Sequence, residues 1–258
     1  MMTRYEAWLD KKGLSAIDPS VYILDIAYSA PRMMTNAVDI AGRNGQRVIS
    51  RLARNTSVVI TLEIHEQDTA RRQDVCRRVQ AWAMGGGILT VNDRPGQRLC
   101  VICDSPPEIS SALKWTQPLK VTLTAYEQPF WEDEYPRSVT LNGTSDRKTL
   151  YVPGIGAETR TEVKVSNTSS MPLDALTIKA GGTTMEFEGL SLGAGEMLEI
   201  DYDEHALLRI RAGGVSKMSC RTAASDDELL LKTGKASEVS VQADGPVSAL
   251  IRTRGLYL

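Results

Sequence analysis

The stretch that decides the fold is DTARRQDVCRRVQAWAMGGGILTVNDRPGQRLCVICD, residues 68–104. After good capping residues at its start, apolar side chains recur at helical spacing at Val75, Val79 and Trp82. A run of three glycines then ends the pattern, because glycine enters the left-handed conformation that closes a helix without a Cβ clash. The stretch therefore predicts one helix over about residues 68–84.

The same stretch continues as a predicted β-hairpin. Ile88–Val91 has the composition of a strand, Asn92–Gly96 is rich in turn residues, and Leu99–Cys103 returns as a second strand. Elsewhere in the chain the helical signals are weak and the strand signals dominate. The sequence therefore predicts a single helix packed on a mainly β body.

Alternating apolar and polar residues predict three further strands in the first half, at Val21–Tyr28, Val58–Ile64 and Leu119–Tyr126. Between the first two of these lies a segment at 32–47, which we interpret as a loop whose Asn-Gly pair marks a hairpin turn or a loop tip. The residues after Thr149 form short strand patterns separated by glycine-rich turns, which is typical of an antiparallel sandwich or jelly roll.

Two breaks in the pattern predict the domain organisation. Pro129–Pro136 brackets aromatic and acidic residues between prolines, and Asn142–Ser145 has the composition of a loop. We therefore predict two domains, 1–140 and 141–258. In the second one, Asp244–Pro246 is predicted to be a turn between two short strands.

Composition excludes several classes of protein. The chain of 258 residues is 42% hydrophobic and 24% charged, which is ordinary for a globular protein and argues against disorder. Its formal net charge of -2 creates no field that would recruit nucleic acid or an anionic membrane. We find no apolar run of membrane-spanning length and no secretory signal pattern at the start, so we expect synthesis in the cytoplasm.

The sequence offers few groups for catalysis or metal binding. Cys100 and Cys103 form a C-x-x-C within a predicted strand, where residues three apart point to opposite faces and cannot share a metal. His65 and His205 fall in separate domains and give no catalytic triad. The acidic residues in 201–204 could bind calcium but lack the rest of an EF-hand loop. We therefore predict no enzyme activity, no metal and no cofactor.

Two surfaces are candidates for contacts between subunits. The 32–47 segment has more apolar residues than an isolated loop needs, and these residues could meet a neighbour or equally cover their own sheet. The helix carries Arg71, Arg72, Arg77 and Arg78 on the side predicted to face away from the core; an ordinary or subunit-facing surface is favoured there over nucleic-acid binding. The candidate interface residues are Met33, Met34, Val38, Ile40, Arg43, Arg71 and Arg78.

The order of motifs over nearly the whole chain resembles the distal tail proteins of long-tailed bacteriophages and prophages. The motifs are Asp25-Ile26 before a proline-led segment, Val38–Gly45, the strand Val58–Ile64, the helix ending at Val79–Ala83, Leu89-Thr90, Tyr126–Trp131, Val165–Asn167, Gly195–Asp201 and Arg252–Gly255. The resemblance implies a tail-tube-like β-sandwich with one flanking helix, followed by a galectin-like β-sandwich.

The resemblance also implies a structural function in the virion. Members form a ring, hexameric in the family, at the distal end of the tail tube. The ring joins the tube protein to the tail-tip protein and to receptor-binding or baseplate proteins, and the family has no catalytic residues. The alternative is a carbohydrate-binding β-sandwich, against which the residues after Thr149 offer few aromatic side chains: Tyr151, Phe187, Tyr202 and Tyr257. An enzyme is the third possibility, because no nucleophile, base and orienting group can be named.

Overall fold

The computed structural model describes residues 5–42, 44–109, 118–203 and 207–258, and these are mainly β. They divide into two compact units, one ending at Trp131 and including Leu258, the other spanning Glu132–Tyr257. No helix among the described residues is long and apolar enough to cross a membrane. The mainly β fold class predicted from the sequence is confirmed.

The first unit contains small sheets and one α-helix among its described residues. One sheet has the strand order β2-β1-β7-β8, a second has the order β3-β6-β9, and β4 pairs with β5 alone. The elements are β1 Ala7–Leu9, β2 Lys12–Gly13, a 3-10 turn Leu14–Ala16, β3 Val21–Tyr28, β4 Met33–Asp39, β5 Gln46–Ala53, β6 Thr56–Ile64, α1 Thr69–Met84, β7 Gly87–Val91, β8 Gln97–Val101 and β9 Leu119–Ala125.

Strict alternation places the core of the first unit. In β6 every second residue is buried, and the same face of β9 is buried as well, so the predicted inward faces of both strands are confirmed. The buried apolar residues of these two strands are Val58, Ile60, Leu62, Ile64, Leu119, Val121, Leu123 and Ala125. Because side chains alternate along a strand, these patterns fix which face of the sheet is covered.

The helix forms where the sequence predicts it. Its first turn is capped by Asp68, whose Oδ1 accepts a hydrogen bond of 2.8 Å from the Arg71 amide. Val75 and Val79 are fully buried, and the Trp82 indole donates to the Lys12 carbonyl at 2.8 Å. The helix packs against β6, so its apolar face is held by the sheet.

One part of the helix prediction is wrong. Arg72 does not lie on the exposed face; its residue is only 7% exposed. The helical repeat places position 72 above the buried Val75 and Cys76, and the guanidinium is accommodated because Nη1 donates to the Glu66 carbonyl at 2.7 Å. The exposed arginines of α1 are therefore Arg71, Arg77 and Arg78.

The second unit is built around two long strands. The main sheet has the order β14-β13-β19-β12-β15-β16-β17, with β11 also paired to β19 and β18 to β12. The elements, with β10 spanning the sequence boundary between units, are β10 Trp131–Asp133, β11 Arg137–Val152, β12 Glu158–Asn167, β13 Leu176–Ala180, β14 Thr183–Phe187, β15 Met197–Tyr202, β16 Leu208–Ala212, β17 Val215–Ser216, β18 Leu230–Lys232, β19 Lys235–Thr253 and β20 Leu256–Tyr257.

Two predicted breaks in this unit are wrong. Residues 142–145 are not a loop, and residues 244–246 are not a hairpin turn, since both lie within long strands that pair with each other. Their register jumps from Gly143↔Val247 to Ser145↔Gln242, which bends the pair at the turn-forming residues. The first part of β19 pairs with β13 and the second part with β12, so this one strand links the two halves of the main sheet. The boundary predicted between residues 140 and 141 lies inside β11.

Candidate assembly surfaces

The segment predicted as a loop at 32–47 is half of a β-hairpin. β4 pairs with β5 from Met33↔Ala53 to Asp39↔Gln46, with a bulge after Asn36. Of the described residues between the strands, Gly42 and Gly45 have the positive φ angles expected where a chain reverses direction. Neither strand joins another sheet among the described residues. A two-stranded hairpin is marginally stable by itself in water, so this one depends on further contacts.

The hairpin exposes an unusual amount of apolar surface. Three of its residues are sequence-predicted interface residues and three come from the second strand, which the sequence analysis missed. They are Met33, Met34 and Val38, then Val48, Ile49 and Leu52, with exposed fractions of 44%, 38%, 45%, 57%, 65% and 53%. Grouped exposed apolar residues of this kind mark interaction sites. We call this set the hairpin surface.

The remaining predicted residues of this segment have different environments. Ile40 is half-buried and directly follows β4. Arg43 lies outside the described residues. On the hairpin itself, the Met34 sulfur accepts a contact of 2.9 Å from Arg54 Nη2, so one flank of the hairpin surface is cationic. The Asn44-Gly45 turn between two apolar runs was the sequence signal that could have revealed the second strand.

The helix arginines make different contacts. Arg71 pairs through Nε with Glu66 at 3.0 Å. Arg78 donates to the Ile17 carbonyl at 2.7 Å and forms ion pairs with Asp18 and Asp74 at 3.0 and 3.1 Å. Both predicted interface arginines are thus already bonded within their own unit. Arg77 is exposed and has no ion-pair partner among the residues that the structure describes, so it is the unpaired cation that this face offers.

The Asp18 carboxylate is the buried end of this arrangement. Its residue is 7% exposed, and its Oδ1 accepts hydrogen bonds from the Ser20 amide at 3.0 Å and the Ser20 hydroxyl at 2.7 Å. These two bonds, followed by the Arg78 guanidinium, lower the pKa of Asp18 below its ordinary value although burial opposes the shift. The carboxylate therefore stays ionised and holds α1 to the segment before β3.

The cysteines and His65 do not come together in one site among the described residues. Cys100 lies in β8. The strand ends at Val101, earlier than predicted, so Cys103 lies outside it, with its Sγ 3.3 Å from the Ser105 carbonyl oxygen. Within the described ranges, no three His, Cys, Asp or Glu side chains converge as metal ligands would. His65 pairs with Glu63 at 2.9 Å and lies against the Tyr22 ring.

The carboxylates of the acidic turn, which were considered as calcium ligands, make other contacts within the second unit. Asp201 uses one oxygen for Arg209 at 2.8 Å and the other for Arg211 at 3.2 Å. Asp203 Oδ1 accepts a hydrogen bond of 2.9 Å from the Leu207 amide. Glu204 and His205 lie outside the described residues. The oxygens that the structure describes are thus used in holding β15, β16 and the turn between them.

Comparison with known proteins gives a result only at the level of structure. No family model and no curated protein sequence matches the chain. The crystal structure of the Dit protein of phage SPP1, titled a paradigm of hub adsorption apparatus in phages that infect Gram-positive bacteria, aligns with a TM-score of 0.66 at 13% identity. The alignment covers 98% of this chain and 99% of that one. The chain shares its fold with SPP1 Dit.

Two further structures align over similar lengths. They are phage P2 baseplates in the activated conformation, one with Ca and one with Sr, each at 10% identity with TM-scores of 0.49 and 0.48. The first alignment covers 99% of this chain and 98% of that one, and the second covers 97% of each. The fold expected from the sequence resemblance to distal tail proteins is confirmed by the Dit alignment.

Proposed function

We propose that this chain is a structural hub protein of a phage or prophage tail. In this proposal, copies of the chain form a ring, with six members as in the family it resembles, at the distal end of the tail tube. The observation that carries the proposal is the fold shared with SPP1 Dit from end to end of both chains. The proposed location is the virion tail, after assembly in the bacterial cytoplasm.

We assign a different role to each of the two predicted domains. Residues 1–140 would form the ring, and residues 141–258 would form the galectin-like sandwich that projects from it. The proposed partners are further copies of the chain, the tail-tube protein and the tail-tip protein, with a receptor-binding protein as another candidate. The role is structural, so the proposal assigns no catalytic residue and no cofactor.

The hairpin surface is the proposed contact between neighbouring subunits. A ring repeats one heterologous contact until it closes, so each subunit needs a donor patch and an acceptor patch. A hairpin that leaves six apolar residues exposed is suited to the donor role, because covering it removes that apolar area from water. The exposed side of α1 remains a candidate for the other patch. Arg77 is its best probe, because Arg71 and Arg78 are engaged within the unit.

Assembly measurements on matched variants test this proposal. Val48→Asp places a charge on the hairpin surface, and Val215→Asp makes the same change at a residue of similar exposure in the second unit, 57% against 64%. By light scattering and native mass spectrometry, the wild type and Val215→Asp should form a closed oligomer, whereas Val48→Asp should stay monomeric. Thermal melts should show that both variants fold.

Two results would contradict the proposal. The subunit contact would be misplaced if Val48→Asp and Met34→Asp both assembled like the wild type. The ring itself would be refuted if the wild type stayed monomeric at high concentration, both alone and mixed with the tail-tube protein.

A further inference from the structure

A cationic groove lies on the first unit, between the β1–β2 hairpin and α1. Its volume is about 650 Å³. Pockets that bind ligands commonly have volumes of roughly 300–1,000 Å³, so the groove has room for part of another molecule. The described residues that line it include three cations and no carboxylate; the cations are Lys11, Lys12 and Arg78.

The walls between these cations are apolar. Ala16 and Ile17 line the groove from the 3-10 turn and the residue after it, and Ala81 and Trp82 line it from α1. Ala16 and Ala81 are exposed and carry only a methyl group, which leaves space above them for a side chain of another molecule. The indole N–H of Trp82 already donates to the Lys12 carbonyl, so the ring offers apolar area rather than a donor.

Two of the three cations have no acidic partner in their own unit. Lys11 and Lys12 are both exposed, and neither forms an ion pair within the ranges that the structure describes. Arg78, in contrast, is shared between Asp18 and Asp74 at 3.0 and 3.1 Å. The two lysines therefore supply the uncompensated positive charge of the groove. Because apolar walls keep water from one side of these charges, they attract a carboxylate more strongly than lysines on an open surface do.

The backbone that presents Lys11 is strained. Leu9 pairs with Lys12, so Asp10 and Lys11 alone form the loop of the β1–β2 hairpin, with φ angles of 46° and 67°. Positive φ at both positions is the type I′ turn, which favours glycine at the second of them. A lysine there is unfavourable, because its Cβ crowds the following carbonyl oxygen. Strained residues of this kind cluster at ligand-binding sites, so the strain at Lys11 is a second, independent sign of a binding role.

We propose that this groove binds an acidic peptide segment of another protein, one that carries an apolar side chain between its carboxylates. The carboxylates pair with Lys11 and Lys12, and the apolar side chain packs against Ala81 and Trp82. Charge complementarity and the apolar walls both favour such a segment. A nucleic acid fits less well, because only two unpaired cations are present and the chain has a net charge of -2.

This inference goes beyond the proposed ring and does not rest on it. No residue of the hairpin surface lines the groove. A single folded chain is therefore expected to bind the peptide whether or not copies of the chain assemble.

The test uses the full chain and defined probes. These are short end-blocked peptides in which one leucine or phenylalanine is flanked by aspartates and glutamates, and fluorescence anisotropy measures their affinity. Lys12→Glu should weaken binding by about tenfold, because it replaces an attraction by a repulsion. The matched control is Lys120→Glu, since Lys120 is also an exposed lysine in a strand of this unit but does not line the groove. It should change the affinity by less than about twofold.

Two further variants separate binding from folding. Lys11→Gly removes a charge and relieves the turn, so it should weaken peptide binding while raising the midpoint of thermal unfolding by roughly 2–4 °C. A loss of binding that accompanies a gain in stability cannot come from misfolding. Ala81→Leu fills the groove from an exposed position of α1 and should weaken binding without lowering this midpoint.

Four outcomes would overturn the inference. They are no saturable binding of any acidic peptide, equal binding of peptides with asparagine and glutamine in place of the acids, wild-type affinity in both lysine variants, and tighter binding of a DNA oligonucleotide than of the peptides.

The same titration on Val48→Asp separates this inference from the proposed ring. That variant should bind the peptide as the wild type does, and light scattering on the same samples reports assembly independently. Loss of peptide binding in folded Val48→Asp would show that the site requires assembly, which would also contradict a groove complete in one chain.

Discussion

Arg78 Nη2 lies 3.0 Å from Asp18 Oδ2, across sixty residues of sequence. The pair joins the exposed side of α1 to the segment that leads into β3, and the Ile17 carbonyl accepts a second bond from the same guanidinium. The sequence places a row of arginines on this face of α1, and at least one of them therefore holds the helix to another part of its own unit. This relationship separates structural arginines from those free to meet another molecule.

Substitution of Arg78 should destabilise the first unit. Arg78→Ala removes one partner of a buried carboxylate, and because the arginine side chain is 44% exposed and solvent screens the pair, we expect a loss of about 1–2 kcal/mol in the free energy of unfolding. Arg77→Ala, one residue earlier on the same helix, should change it by about 0.5 kcal/mol or less. Urea unfolding followed by circular dichroism measures both. Equal effects of the two substitutions would argue against the Asp18 contact.

The contribution of Asp18 should depend on pH. Its pKa is lowered by the Ser20 amide and hydroxyl and then by Arg78, so its ionised form is favoured in the folded state. The stabilisation is present above the ordinary aspartate pKa of about 3.9 and is lost as the pH falls through the lower, folded value. The difference in unfolding free energy between the wild type and Asp18→Asn should be full at pH 7 and shrink below about pH 4. A difference that stays constant over this range would contradict the assignment.

Gly154 should tolerate alanine poorly. Its φ of +138° is rare for other residues, and a Cβ atom there would lie 2.3 Å from the Leu256 carbonyl oxygen. Gly156 also has a positive φ, +83°, but its Cβ would meet nothing within 4 Å. We expect Gly154→Ala to lower the free energy of unfolding by about 2–4 kcal/mol, and Gly156→Ala by about 1 kcal/mol. Thermal and urea unfolding of the two variants would measure these losses of stability. Similar losses would contradict a steric role of the Leu256 carbonyl and show that the positive φ alone sets the cost at both positions.

The cysteines should react in an order set by burial. Cys76 is fully buried, and burial raises the pKa of its thiol although Arg72 opposes the shift. Burial also raises the pKa of the Cys103 thiol, whereas Cys100 is exposed. A thiol reagent at pH 8 should therefore modify Cys100 first and Cys76 only after unfolding. Mass spectrometry of labelled peptides measures this order, and Cys100→Ser should remove the fast phase. Rapid labelling of Cys76 in the folded chain would show that α1 opens locally.

Local sequence patterns were sufficient for the elements whose faces repeat regularly. The alternation in β6 and the capped, glycine-terminated helix could be predicted because each pattern fits one periodicity and one buried face. The burial of Arg72 was not predicted, because its charge suggested that it would be exposed. Its burial depends on the Glu66 carbonyl, which a turn of chain before the helix brings within reach.

Pairing between distant strands decided what local composition predicted wrongly. Asn142-Gly143 and Asp244-Gly245-Pro246 have the residues of turns, but β11 and β19 pass through them because each is the other's partner along most of its length. The same holds for the candidate surfaces. Met33 and Val38 could be nominated from sequence, while Val48, Ile49 and Leu52 joined them only through the pairing of β4 with β5.

The stretch from Asp68 to Asp104 by itself determined a capped helix, a glycine stop and a hairpin, because those features depend on neighbours a few residues apart. The tertiary structure alone decided that Arg78 binds Asp18, that Arg72 is buried, and that β11 and β19 pair through residues with the composition of turns. These contacts join residues that are far apart in the chain. Their free energy is set by burial and geometry that exist only after the sheets have formed.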